Sequence, residues 1–206
     1  MKVKRFTKAF VCITLLLVSV TVSGQNRIIR NQGFYYTIEG KAGYGLSMTT
    51  DLASNRHEEF SPFSLGLAVS ANYFLNYHVS AGASLGYNQY SGPKMQALPF
   101  MGNLKYFFGK PARTPFIYAE GGYAFRTDAD QQHKGLVYEA GLGYRHQLAR
   151  RYNFLMFKIG YNYFKANHWR YLPREGTQVS DWDYRWYFLE RPTINFTIAF
   201  YHSTRY

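Results

Sequence analysis

In eight stretches of this chain, large apolar residues alternate with small or polar ones at a period of two, and all charge within those stretches falls on one side. The run from Tyr35 to Leu46 sets the pattern. Tyr36, Ile38, Gly40, Ala42, Tyr44 and Leu46 share one parity, and Tyr35, Thr37, Glu39, Lys41 and Gly43 share the other. A period of two is that of a β-strand, whose successive side chains point to opposite faces. The alternation recurs in runs beginning near Phe63, Val79, Leu98, Ile117, Leu136, Leu155 and Thr193, the last ending at Phe200. No helical periodicity follows residue 25, so the reading is eight strands.

The placement of charge decides what kind of all-β fold this is. Glu39, Lys41, Lys105, Glu120, Glu139, Arg145 and Lys158 all take the parity of the Gly, Ser and Asn residues. The Phe, Tyr and Leu parity carries no charge within any run. A soluble barrel needs the reverse, with charges outside and apolar groups inside. Eight strands enclose a lumen that side chains just fill, so the aromatic set would not fit within it. The aromatic face therefore looks outward into lipid, where a charge near mid-bilayer costs about 2–4 kcal/mol. The expected fold is an all-β, closed, antiparallel, eight-stranded transmembrane β-barrel. Closure removes the sheet edges that lipid cannot satisfy.

Composition agrees. Aromatic residues make up 19% of the chain, with 20 Tyr and 17 Phe, yet mean hydropathy is only −0.33. A bundle of membrane helices needs long apolar runs, whereas alternating strands do not. The connections alternate in length as well. Those near 75–78, 109–114 and 148–153 are short, while the others are mostly longer, above all 48–61 and 165–191. Short turns on the periplasmic side and longer extracellular loops are the outer-membrane arrangement, and an even strand number brings both termini to the periplasmic side.

The N-terminus reads as a secretory signal over residues 1–24, leaving a barrel domain over 25–206. Lys2, Lys4, Arg5 and Lys8 form a basic segment, Ala9 to Val22 an apolar one, and Val22-Ser23-Gly24 a cleavage site before Gln25. The single cysteine, Cys12, lies within this leader, so the mature chain is expected to have no disulfide and no thiolate metal site. The formal charge of +12 includes the four leader cations and falls to +8 without them. For an exported chain, phosphorylated lipid head groups are more natural anionic neighbours than nucleic acid.

These features resemble the small outer-membrane β-barrel proteins of Gram-negative bacteria, the group around the OmpA-type transmembrane domain and its porin-like relatives. The most family-like pieces are Leu98-Pro99-Phe100 with Asn103-Leu104-Lys105-Tyr106-Phe107, and the closing strand Ile194 to Tyr201. The resemblance implies a cell outer membrane location among lipid and lipopolysaccharide. It also implies recognition of the last strand by the barrel assembly machinery during insertion, with Phe196, Phe200 and Tyr206 as the assembly signal. Tyr206 ends the chain as given and keeps the parity of Ile194 to Phe200, so no periplasmic peptidoglycan-binding domain is expected after it.

Three constellations bear on function. His202-Ser203 is the best local pair for nucleophilic catalysis, but adjacent strand residues face opposite ways and no acid follows. His57, His78, His133, His146, His168 and His202 are scattered without metal-ligand spacing, and no cofactor or metal is expected. The lumen charges, three acids (Glu39, Glu120, Glu139) and four bases (Lys41, Lys105, Arg145, Lys158), would line a pore or a proton relay, or pair into a plug. A narrow lumen favours the plug. The third constellation is the 165–191 connection. It holds Trp169, Trp182 and Trp186 among Arg170 and Arg185, with a hairpin tip near Pro173-Arg174-Glu175-Gly176. As a binding site it suits a sugar, a phosphorylated glycolipid or a protein partner. As structure, Trp and Tyr mark the lipid–water interface. The expected function is that of a non-enzymatic structural or interaction protein of the envelope. The alternatives are a small solute channel and a lipid A-modifying enzyme.

Overall fold

In the computed structural model, residues 31–50, 61–91, 94–109, 113–126, 134–148, 153–173 and 182–203 are described. The leader, the hairpin tip after Pro173 and Tyr206 lie outside them. The strands are β1 (Gly33–Gly45), β2 (Thr49–Thr50), β3 (Phe63–Phe74), β4 (Val79–Ser91), β5 (Lys94–Phe107), β6 (Thr114–Arg126), β7 (Lys134–Gln147), β8 (Asn153–Pro173) and β9 (Trp182–Ser203). Each long strand pairs antiparallel with the next, and β1 pairs with β9 from Tyr35↔Ser203 to Gly45↔Thr193, closing the cylinder. The barrel thus has the eight long strands read from the sequence, and β2 is a two-residue addition to the upper edge of β9.

Strand stagger sets which lumen residues meet. Stepping through paired residues from Tyr35 leads to Asn72, Gly82, Asn103, Glu120, Glu139, Asn162, Thr193 and back to β1 at Gly45. The return is ten residues further along β1, a stagger that tilts the strands against the barrel axis. Charges far apart in sequence are thereby raised or lowered to a common level.

The outer face is the apolar parity. Ile38, Leu65, Leu67, Phe100, Tyr123, Leu142, Phe196 and Ile198 are more than half exposed there, a surface that water would not tolerate and lipid requires. Along β9 the outer face stays apolar from Pro192 to Phe200. That is about 30 Å of strand, or roughly 23 Å of height at a tilt near 40°, close to the ≈ 25 Å apolar band of outer-membrane barrels. The chain is read here as membrane-spanning on that ground.

The tight connections, Leu75–His78 and those between β5 and β6 and between β7 and β8, gather at one end with Asn31 and Ser203. At the other end the β4–β5 link is tight too, since Ser91 pairs with Lys94. Every described residue of the 165–191 connection is strand. Its register runs from Lys165↔Glu190 to Pro173↔Trp182, an extension of roughly 26 Å beyond the barrel rim at ≈ 3.3 Å per residue.

Candidate functional site

The lumen is filled in three layers. The middle one holds Glu39, Lys41, Glu120, Glu139 and Lys158, all buried. Lys158 Nζ donates to Glu39 Oε2 at 2.8 Å and Glu120 Oε1 at 2.9 Å. Lys41 Nζ sits 3.5 Å from Glu120, 3.8 Å from Glu39 and 3.9 Å from Glu139. Glu139 also accepts from the Tyr118 hydroxyl at 2.7 Å, from Asn195 Nδ2 at 2.7 Å and from Asn162 Nδ2 at 3.4 Å. Thr37 donates to Glu39 Oε1 at 3.0 Å. Each carboxylate thus meets at least one ammonium and further donors, the condition under which buried charge persists.

The remaining two predicted lumen charges stand apart from this group. Lys105 is buried and donates to the side-chain oxygens of Asn72 and Asn103, both at 2.9 Å. Arg145 lies at the short-turn end, where its Nη1 donates to Asn31 Oδ1 at 2.9 Å. Its guanidinium packs over Phe107 at 4.7 Å and Phe154 at 5.2 Å, a cation–π arrangement.

That end is a layer of inward-facing aromatics: Tyr35, Phe74, Phe107, Phe116, Phe154 and Tyr201. Their centroids form a chain, Phe154–Tyr201 at 4.7 Å, Tyr201–Tyr35 at 4.4 Å, Tyr35–Phe74 at 5.0 Å, Phe74–Phe107 at 5.5 Å and Phe107–Phe116 at 5.2 Å. Gly143 makes the room, because any Cβ there would strike the Phe116 ring, and Gly160 does the same for the Tyr118 hydroxyl. Gly33, with φ 77°, turns the chain from buried Asn31 into the wall. The opposite end is closed by Tyr90, Ala97, Met101, Ala124, Val137 and Phe164. There Arg191 lies over the Tyr90 ring at 5.0 Å and donates to the Ser61 carbonyl at 2.8 Å. Of these aromatics, alternation places only Tyr35 inside. Phe74, Phe107, Phe116, Phe154, Phe164 and Tyr201 appear when the inner parity is carried one residue past a run, and Tyr90 when it is carried two past Asn88.

In the outer hairpin, register sets Trp169 opposite Trp186 and Tyr171 opposite Tyr184, with Arg170 opposite Arg185 one residue out of step. The side chains of residues 166–188, and with them the five residues expected to form a loop binding site, lie outside the described ones. Below them, Lys165 and Glu190 form an outer-face ion pair of 2.8 Å at the rim. Of the assembly residues, Phe196 and Phe200 stand on the lipid-facing side of β9. His202 is exposed, with Nδ1 donating to Asn153 Oδ1 at 2.8 Å. Among the described residues no three His, Cys, Asp or Glu gather as metal ligands.

An apolar outside, a polar and packed inside and closure at eight long strands define a transmembrane β-barrel. In structure the chain is similar to the outer membrane protein OprG from Pseudomonas aeruginosa. Identity is 13% and the TM-score 0.55, covering 86% of this chain and 99% of that one. Neisserial surface protein A matches with 13% identity and a TM-score of 0.44 over 81% and 96%. The outer membrane protein AlkL matches with 12% identity and 0.47 over 89% and 96%. The likeness to OprG establishes the fold of a small outer-membrane β-barrel. No family model and no curated protein matches the sequence.

Proposed function

We propose that this chain is an integral protein of a Gram-negative outer membrane, exported by its 1–24 leader, with a structural or interaction role rather than an enzymatic or transport one. The short-turn end faces the periplasm, and the hairpin of β8 and β9 stands outside the cell. The observation that carries the reading is the contrast between a lumen packed in every layer and a hairpin that continues well past the rim. A packed, ion-paired lumen offers no path for solute. The head-group layer adds only about 5–7 Å to each side of the hydrocarbon, so the hairpin reaches beyond what anchoring in that layer requires. Its Trp residues supply large contact area at low entropic cost, and its Arg residues add directional donors. A glycolipid or an envelope protein is the partner such residues suit.

Replacing Trp169, Trp182 and Trp186 together with Ala tests this. The variant should insert and keep its heat-dependent gel mobility, but lose the partner or lipopolysaccharide that co-purifies with the unmodified protein in mild detergent. Failure of the variant to insert would instead make these residues part of the membrane girdle and leave the hairpin as scaffold.

A further inference from the structure

On the lipid-facing wall, β1 is thin where Gly40 and Ala42 face outward. A Cβ added to Gly40 would meet nothing within 4 Å. Leu65 and Leu67 of β3 rise on one side of this low strip, and Phe196 and Ile198 of β9 on the other, all exposed. The result is a groove of about 790 Å³, lined mainly by apolar atoms and running from Tyr87 and Gln89 of β4 across to Phe157 of β8. Five strands at ≈ 4.8 Å spacing make it roughly 19 Å across.

Two observations say what fills it. Apart from Gln89 at its edge, the groove opens on the apolar belt, so its occupant comes from the bilayer. Its Gln89 end is at the long-loop rim, where Gln89 faces outward opposite Gln96, and its other end lies just past the middle of the belt, at Phe157 and Ile198, one outward position beyond Ile159 and Phe196. It therefore descends from the polar margin of one leaflet to just past the midplane, across the strands rather than along them. A strand or helix of a partner laid lengthwise on the wall would not follow that course, whereas a flexible polymethylene chain would.

We propose that this groove is a binding site for one acyl chain of an outer-leaflet lipid. The chain lies over Gly40 and Ala42, and the lipid's polar group rests near Gln89. Only the choice of leaflet rests on the orientation proposed above.

The test uses the full-length protein extracted from membranes in mild detergent and weighed by native mass spectrometry. Filling the groove by Gly40→Leu with Ala42→Leu should remove a retained lipid adduct that the unmodified protein carries. The control, Gly102→Leu with Ala119→Leu on the far wall, should keep it. Absence of an adduct on the unmodified protein, or equal retention in both variants, would overturn the proposal. So would a dimer mass abolished only by the groove variant, which would assign the groove to a second copy. Should the groove variant not fold, photolabelling decides with the unmodified protein. A phospholipid bearing a photoreactive group midway along its chain should label the Gly40–Ala42 and Leu65–Leu67 segments above the Gly102–Leu104 segment, and even labelling would sink the idea. Fractionation of the same cells reports the outer-membrane placement separately, so its failure is distinguishable from failure of the site.

Discussion

On β6, Ile117, Ala119, Gly121, Tyr123 and Phe125 face outward, while Phe116, Tyr118, Glu120 and Ala124, one residue out of step, face inward and are buried. The outward set is held to a residue class, since lipid is a liquid and any apolar side chain satisfies it. The inward set is held to partners. Glu120 meets Lys158 and Lys41, Tyr118 meets Glu139, and Phe116 fits only because Gly143 has no side chain. A few ångströms of backbone thus separate a face governed by polarity from one governed by pairing, and the two should fail differently when altered.

The largest effect is expected inside. Glu120→Ala leaves Lys158 and Lys41 sharing fewer carboxylates in a site without water access, and should destabilise the barrel by about 3–5 kcal/mol. Replacing both members, Glu120→Leu with Lys158→Met, should recover much of that loss, since a packed apolar pair can substitute for a buried ionic one. Urea unfolding in detergent micelles, followed by tryptophan emission, reads both. If the single and double variants lose equally, the inner face is not governed by pairing.

The outer face should respond to polarity alone. Ile198→Lys, near mid-belt, is expected to cost about 2–4 kcal/mol, whereas Leu67→Ile should stay within about 0.5 kcal/mol. The same unfolding assay separates them, and a large loss for Leu67→Ile would mean that the outer wall is also held by specific contacts.

This division explains what could be read from the sequence. Parity identified the outer face because lipid imposes one rule on every strand, and for that reason the eight long strands were legible from alternation alone. It also put Glu39, Lys41, Glu120, Glu139 and Lys158 on the inner side. What parity does not contain is the stagger between strands, so it could not say that Lys158 joins Glu39 and Glu120 while Lys105 turns to Asn72 and Asn103. The aromatic ends went unread for a related reason. Phe107, Phe116 and Phe154 each stand one residue beyond a run as bounded by its alternation, next to a turn, and an aromatic there looks like interface decoration until closure turns it inward. The hairpin gave its alternation but not its pairing. Only the register shows that Trp169 stands opposite Trp186 and Arg170 opposite Arg185.

The central claim, that the lumen is filled and the function lies outside it, is tested most directly by conductance of the purified, refolded protein in a planar bilayer. The expected result is a quiet membrane after insertion, with the heat-dependent gel shift proving that folded barrels are present. A large, steady, reproducible single-channel current from the unmodified protein would contradict the account and make the Lys41–Glu120–Lys158 cluster the lining of a pore.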